Sequence, residues 1–329
     1  MATKRILSGM RPTGKLHLGH LVGALENWVS LQSAYLNYHL IADYHALTTN
    51  LDSSELENNS FEMVIDWLSA GIDPNKSILF RHSQIKEHAE LHLIFSMLIT
   101  TSRLERNPTL KEQVRDLSIE NISYGHLGYP VLQSADILLY KGEVVPVGDD
   151  QLPHLEITRD IARKFNNQYG KVFPEAEPLI TKFSRLPGLD GGQKMSKSLN
   201  NTILISDNPE NVITKMKSAV TDPLKVKRND PGRPDICTVF TYHTKFNTNE
   251  EKEIRGGCES GSLGCVECKL KCAAAVSNSI APIVEKRIQL EKSPATIRDI
   301  LYDGETKARK VAEQTMQEVR SKMKLGILK

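Results

Sequence analysis

The period of apolar and polar positions changes along the chain, and the changes divide it. Arg5-Ile6-Leu7-Ser8 reads as a short apolar strand, and glycines at 9, 14 and 19 permit a tight turn after it. Leu21, Ala24, Leu25 and Trp28 then recur at helical spacing, predicting a helix over about 20–31. A second strand is expected at 38–42, ending at Asp43-Tyr44-His45. Ser53 and Ser54 read as the cap of a helix that runs to Ala70 and stops at Gly71. A third strand at 77–80 and a helix at 87–100 follow. This alternation predicts the α/β class, a parallel sheet with helices on both faces. Ligands in such sheets lie at the carboxyl ends of the strands, where residues 11–13 and 43–45 fall.

Residues 103–128 interrupt the alternation with a polar segment carrying Arg103, Arg106, Lys111 and Arg115, which reads as an insertion. The pattern resumes with a helix at about 130–140, a strand at 144–147 and a helix at about 152–165. Text rich in Pro and Gly over 174–193 leads into a lysine-bearing loop, and a helix at about 209–219 follows. The spacer 222–236, with Pro223, Pro231 and Pro234, reads as a hinge into a smaller, mostly helical domain with helices at about 273–290 and 306–323. Two domains result, 1–205 and 206–329.

A chain of 329 residues has room for both. No run approaches the roughly 18 apolar residues that span a bilayer, and Lys4-Arg5 passes straight into a strand without a signal peptide, so the cytoplasm is the expected compartment. The net charge of +2 makes no general case for nucleic acid. Its distribution says more: residues 206–329 hold 22 Lys+Arg against 17 Asp+Glu, a balance of +5, and residues 1–205 hold 20 against 23, or −3. A mildly basic second part suits an RNA backbone. All five cysteines fall late, at 237, 258, 265, 268 and 272. In a reducing compartment such clustering points to metal or redox chemistry rather than disulfides.

The candidate chemistry sits in two loops. Gly192-Gln193-Lys194-Met195-Ser196-Lys197-Ser198 puts two lysines and two hydroxyls on a glycine-preceded loop, material for a mobile clamp on triphosphate. Far upstream, Pro12-Thr13-Gly14-Lys15-Leu16-His17-Leu18-Gly19-His20 sets two histidines about a glycine where a strand turns into a helix, whose free N–H groups favour phosphate. Each stretch alone reads as well as a solvated basic loop or a pair of helix-cap histidines. Together, and in this order, they resemble the HIGH and KMSKS signatures of class I aminoacyl-tRNA synthetases. The whole chain is similar to the bacterial tryptophanyl-tRNA synthetases that carry an iron–sulphur cluster.

The resemblance implies a Rossmann-like catalytic domain, a helical domain on the anticodon side, and the ligation of tryptophan to tRNA(Trp) through an ATP-derived adenylate with Mg²⁺. It assigns Arg11, Pro12, Thr13, Gly19 and His20 to the ATP site, although related enzymes often have Gln where this chain has Arg11. Gly148, Asp149 and Asp150 would serve the ribose, Leu186 the adenine, and Met195, Ser196 and Ser198 the clamp with Lys194 and Lys197. Lys111, in the insertion, would reach the pyrophosphate, and His17 with His20 would help to neutralise it. Asp136 would accept the indole N–H, with Gln133 on its helix face and Gln151, His45 and Tyr129 completing the amino-acid pocket. The same carboxylate suits a tyrosine hydroxyl, so a tyrosine enzyme is the alternative, and an iron–sulphur RNA-binding paralogue is the reading outside catalysis. The cysteine gaps of 20, 6 and 2 residues from Cys237 through Cys258 and Cys265 to Cys268 fit either tetrahedral zinc or a 4Fe–4S cluster. The resemblance favours the cluster, in a structural role, with Cys272 a bystander or alternative ligand. It also implies a homodimer.

Overall fold

The computed structural model describes residues 3–116, 119–148, 151–180, 186–192 and 195–326. Strands β1 (Arg5–Met10), β2 (Leu36–Ile41), β3 (Ser77–Arg81), β4 (Val144–Val147) and β5 (Glu177–Ile180) form one sheet in the order β3-β2-β1-β4-β5, every pair parallel. The chain winds outward from β1 in one direction through β2 and β3, then returns to lay β4 and β5 on the other side. The reversal leaves a crevice beyond the carboxyl ends of β1 and β4.

The helix expected over 20–31 is three pieces: a single turn α1 (Leu18–His20), a wide π turn at Leu21–Leu25, and α2 (Glu26–Leu31). The wide turn carries Gly23 and Ala24 against the crevice, a common place for such a departure from regular winding. Next come α3 (Asp43–Leu47), α4 (Leu56–Ser69) and α5 (Glu87–Ser96), and then α6 (Thr101–Glu105) and α7 (Pro108–Asp116), which give the polar insertion helical structure. Helix α4 begins after Glu55 without a side-chain cap, so Ser53 and Ser54 are not its cap. Its end at Gly71 is as expected, with φ +111° there. Helix α8 (Tyr124–Leu139) begins six residues before its expected start at Pro130. Ser123 caps it, accepting from the His126 N–H, and Pro130 lies inside, where its missing N–H is tolerated. Asp136 and Gln133 therefore stand in the second half of a helix rather than at its start.

After α9 (Leu152–Tyr169) and β5 come α10 (Pro209–Ser218), capped by Asn208, then α11 (Thr238–Phe246), α12 (Glu251–Glu259), α13 (Cys265–Glu291) and α14 (Pro294–Lys322). Apolar side chains alternate across the sheet. Leu7, Tyr38, Leu40 and Phe80 pack under α5, α8, α9 and α14, while Ile41 and Leu79 join the core shared by α4, α10 and α13. Helix α14 lies directly on β3. A Cβ at Gly304 would stand 1.9 Å from the Leu79 carbonyl oxygen, so only glycine fits that crossing. Around it Arg81 pairs with Glu305 (Nε–Oε1 2.6 Å) and Arg320 with Glu90 (Nε–Oε1 2.7 Å), joining the last helix to β3 and α5. No helix is long and apolar enough to cross a membrane among the described residues.

One buried ion cluster ties the second half of the chain to the first. Arg287 of α13, 2% exposed, pairs with Asp66 and Glu62 of α4 and reaches Glu291 Oε1 at 3.0 Å. Asp66 in turn accepts from the Leu16 N–H at 2.6 Å, immediately before the paired histidines. Burial pushes Asp66 up to about 6, against the pull of Arg287 and the Leu16 N–H. Arg287→Ala is expected to cost about 3–5 kcal/mol, because it strands a buried charge. The sign of its pH dependence follows: a carboxyl whose folded pKa lies above its ordinary 3.8 takes a proton more readily when folded. Its ionisation therefore opposes folding as the pH rises through that window, and the deficit is smaller in acid. Thermal denaturation of parent and variant at about pH 5 and about pH 8 checks this; equal deficits would rule out a stranded Asp66 as the cause.

Candidate active site

The sequence builds its first loop from Gly14, at φ +82°, where a side chain would also meet Asn59 Oδ1 at 2.7 Å. His17 is the N-cap of α1: its Nδ1 accepts from the Gly19 N–H at 3.1 Å, and the His20 Nδ1 takes the His17 N–H at 3.3 Å. The rings lie 3.8 Å apart between centroids. The two histidines thus form a reciprocal cap on the first turn of this helix.

The lysine loop comes to this place although almost the whole sheet separates the two in sequence. The segment that follows it pairs with the histidine strand: the Leu18 N–H donates to Ile203 O at 2.9 Å and the Ile205 N–H to Leu16 O at 3.0 Å. Asn201 organises the loop, accepting from the Ser196 N–H at 2.7 Å and donating to Asp190 Oδ1 at 3.0 Å. Met195 is buried, its sulphur 3.3 Å from where a Cβ on Gly19 would stand. Lys197 donates from Nζ to the Thr13 carbonyl and, at 2.7 Å, to the Lys15 carbonyl, and its partial burial lowers its pKa. Lys194 lies outside the described residues, as do Asp149 and Asp150, and nothing is described of the Ser198 side chain.

The crevice itself is a cavity of about 490 Å³, within the range of small-molecule sites. Arg11, His45, Tyr129, Gln133, Asp136, Gly148 and Gln151 all line it, with Trp28, Ile137, Val145 and Val147 as apolar wall. Seven of the residues singled out in the sequence therefore converge on one space. His17, His20 and Lys197 do not line it, and Lys111 is exposed on α7. Leu186 is buried in the core shared with α4 and α10 rather than in the cavity wall. Pro12 is buried and Thr13 exposed on the glycine loop.

Asp136 is 2% exposed, and its carboxylate is ringed by three imidazoles, of which reasoning from sequence named His45 and passed over His82 and His88. His45 Nε2 lies 2.8 Å from Oδ2; His88 Nδ1 and His82 Nε2 lie 2.7 Å and 3.0 Å from Oδ1. The His82 approach is close without being aligned as a hydrogen bond. Burial pushes the pKa of His45 and of His82 down. Burial also pushes the Asp136 carboxyl up, but the imidazoles outweigh it and hold the group well below the usual carboxylate range. The negative charge therefore stays on Asp136, and the rings serve it as N–H donors. The positions of His82 and His88 were the available signal, since one directly follows the third strand and the other lies in the first turn of the helix after it. Tyr129 is held by His154, whose Nε2 is 2.5 Å from its hydroxyl.

The cysteines gather where α11, α12 and α13 meet. Cys237 is the residue before α11, Cys258 is near the end of α12, and Cys265 and Cys268 occupy the first turn of α13. Burial raises the Cys268 thiol to about 12, with Cys237, Cys258 and Cys265 adding to the effect, so all four share one neighbourhood. Among the described residues, however, only His45, His82 and Asp136 bring three potential ligand atoms within 4.8 Å of one another. Cys272 points elsewhere, to the Val239 carbonyl at 3.8 Å.

Comparison with known proteins fits this geometry. The family model described as tRNA synthetases class I (W and Y) matches residues 2–280. The chain is 48% identical to the tryptophan–tRNA ligase of Thermotoga maritima, over 98% of this chain and 99% of the relative. It is 43% identical to that of Aquifex aeolicus, over 98% and 100%. The crystal structure of tryptophanyl-tRNA synthetase from Campylobacter jejuni, complexed with ADP and tryptophan, superposes with a TM-score of 0.87 at 36% identity, covering 97% of this chain and 99% of that one. The paired histidines, the lysine loop bonded to their strand and the strand-end cavity thus stand within a full-length match, and the chain belongs to the class I tRNA synthetases of the tryptophan and tyrosine family, on its bacterial tryptophanyl branch.

Proposed function

We propose that this chain ligates tryptophan to tRNA(Trp) and does so at the cavity between β1 and β4. One observation carries the reading: a chain akin to tryptophan–tRNA ligases over its whole length has a buried, ionised carboxylate among the apolar walls of its strand-end cavity. In the first step a carboxylate oxygen of tryptophan attacks the α-phosphorus of ATP. That O–P bond forms as the bond from the α-phosphorus to the bridging oxygen breaks, and pyrophosphate leaves with the electron pair. In the second step a terminal ribose hydroxyl of the tRNA attacks the acyl carbon; the ester bond forms as the hydroxyl gives up its proton to the departing phosphate or to water, and the acyl–oxygen bond to AMP breaks with its electron pair going to AMP. Such chemistry rests on positioning and on stabilising developed charge.

The roles are those that the resemblance implies. Asp136 accepts the indole N–H, with His45, Gln133 and Tyr129 around the ring and Gln151 toward the ammonium and carboxylate. Arg11, Gly19, His20 and Gly148, with Pro12, Thr13, Asp149, Asp150 and Leu186 carried over from the resemblance, make the ATP side. ATP enters as its Mg²⁺ complex. Lys194 and Lys197, with Met195, Ser196 and Ser198, clamp the phosphates beside His17, and Lys111 approaches from α7. Residues 206–329 form the RNA-facing part, and a homodimer is the expected assembly. Tyrosine is the second reading, since a phenol can also donate to Asp136.

Pyrophosphate exchange into ATP, run with tryptophan and with tyrosine in parallel, tests the function. Exchange with tryptophan alone is expected. Exchange with tyrosine would keep the chemistry and overturn the substrate; exchange with neither would overturn both.

The four thiols share one neighbourhood, and the resemblance assigns a 4Fe–4S cluster rather than zinc to Cys237, Cys258, Cys265 and Cys268. Such a group would act as a structural cross-link of α11, α12 and α13. Cys258→Ser is expected to abolish bound iron and its broad visible absorption in anaerobically purified protein, while Cys272→Ser keeps both. Zinc in place of iron, by elemental analysis of the parent, would refute the cluster.

A further inference from the structure

An ionised carboxylate offers about four lone-pair directions and no donor. Around Asp136, His45 takes one from Oδ2 and His88 takes one from Oδ1, with His82 crowding the same oxygen. The cavity therefore meets a carboxylate already fixed on both oxygens. Of the two hydrogen-bonded imidazoles, His45 lines the cavity and His88 does not.

Behind His88 stands Tyr140. It follows Asp136 by four residues, so the two lie one turn apart on the same face at the end of α8. His88 bridges the interval, with Nδ1 2.7 Å from Asp136 Oδ1 and Nε2 2.9 Å from the Tyr140 hydroxyl. Both rings are locked. Tyr140 is wholly buried, stacked on Tyr38 at 4.8 Å and edge-on to Phe80 at 5.1 Å; His88 lies parallel to Phe80. Tyr140 stays protonated, because burial and the Asp136 charge push its pKa far up. Its O–H donates to Nε2, which leaves Nδ1 to carry the hydrogen that Asp136 accepts.

We propose that His88 and Tyr140 are positioning residues for substrate choice: the Tyr140–His88–Asp136 relay fixes the carboxylate so that one lone pair faces the cavity for an indole N–H. A ligand with a single N–H donor needs one of the two lone pairs that His45 and His88 leave, and a site built on that bond rejects analogues that lack it. The inference rests on the reading of Asp136 as the indole acceptor.

The test compares kcat/KM in pyrophosphate exchange for tryptophan and for its benzothienyl analogue, in which sulphur replaces the indole N–H. His88→Leu is expected to lower the preference for tryptophan by about tenfold, as loss of one ordering hydrogen bond implies, with the KM for ATP unchanged. His88→Asn, whose amide N–H can stand where Nδ1–H stood, is expected to retain most of the preference. Tyr140→Phe, which deletes only the oxygen, is expected to lower it about threefold by releasing the tautomer. Equal loss toward both amino acids in His88→Leu would reduce His88 to a packing residue and overturn the proposal. Should His88→Leu not fold, an unchanged preference in Tyr140→Phe overturns it instead. Asp136→Asn in the same series separates the two failures. If its preference is also unchanged, the indole acceptor itself is misassigned; if it alone loses the preference, only the relay falls.

Discussion

Lys197→Ala is expected to lower tryptophanyl-adenylate formation by about 10²–10³, the usual cost of removing one group aimed at developing charge, while tryptophan binds nearly as before. Lys197 holds two backbone carbonyls of the glycine loop, those of Thr13 and Lys15, and lies outside the cavity that contains Asp136. In this conformation the ammonium latches the lysine loop to the histidine loop. To neutralise a leaving pyrophosphate it would exchange these carbonyl oxygens for phosphate oxygens, a favourable trade for a compact cation. Alanine removes the latch and the clamp together. If the latch were its only role, the variant would lose thermal stability and bind ATP differently without a specific loss in the chemical step. Single-turnover adenylate formation, beside equilibrium dialysis with labelled tryptophan, separates the cases. Activation within a few-fold of the parent would end the clamp assignment.

That the two loops meet was inferred from their order, and the physical reason appears only in three dimensions. Residues 203–205 run back along 16–18 in hydrogen bonds that no periodicity announces. The strands up to β4 were legible because each is an apolar run closed by Gly, Asp or a charged residue. β5 was not: Glu177–Ile180 has a half-buried pattern and a proline, at the sheet edge, where propensity says little. The start of α8 was hidden by Pro130, which commonly opens helices but here sits within one. Helices α11 and α12 were missed because each is only nine residues long, and α12 is interrupted by a glycine pair and a cysteine.

The site was legible unequally for a similar reason. Residues that touch a cavity fall at strand ends and helix starts, so Arg11, His45, Gly148 and Gln151 stood out. The groups that act behind them do not. Arg287 and Asp66 meet across more than 200 residues, and each alone reads as an ordinary charge on an amphipathic helix. His88 reads as a polar residue in a first turn. Only the fold brings it between Asp136 and Tyr140.

The second large effect follows from that cage. Asp136→Ala is expected to lower kcat/KM for tryptophan by at least about 10², the scale on which a site built around a buried hydrogen bond fails without it, and to leave the KM for ATP within a few-fold. Asp136 lines the same cavity as Ile137, Val145 and Val147, which His17, His20 and Lys197 do not line. The same change strands the N–H groups of His45 and His88, each a buried donor whose lost partner costs about 1–3 kcal/mol, so the variant also melts earlier. Asp136→Asn distinguishes the two consequences. It keeps the shape and one acceptor oxygen, and recovers part of the stability. Its amide hydrogens nevertheless face either an imidazole N–H or the indole N–H, and tryptophan activation stays low. A variant pair in which stability and tryptophan activation rise together, with ATP usage following both, would mean that Asp136 only holds the helices together. A pair in which Asn restores melting temperature but not tryptophan activation assigns the carboxylate to the substrate.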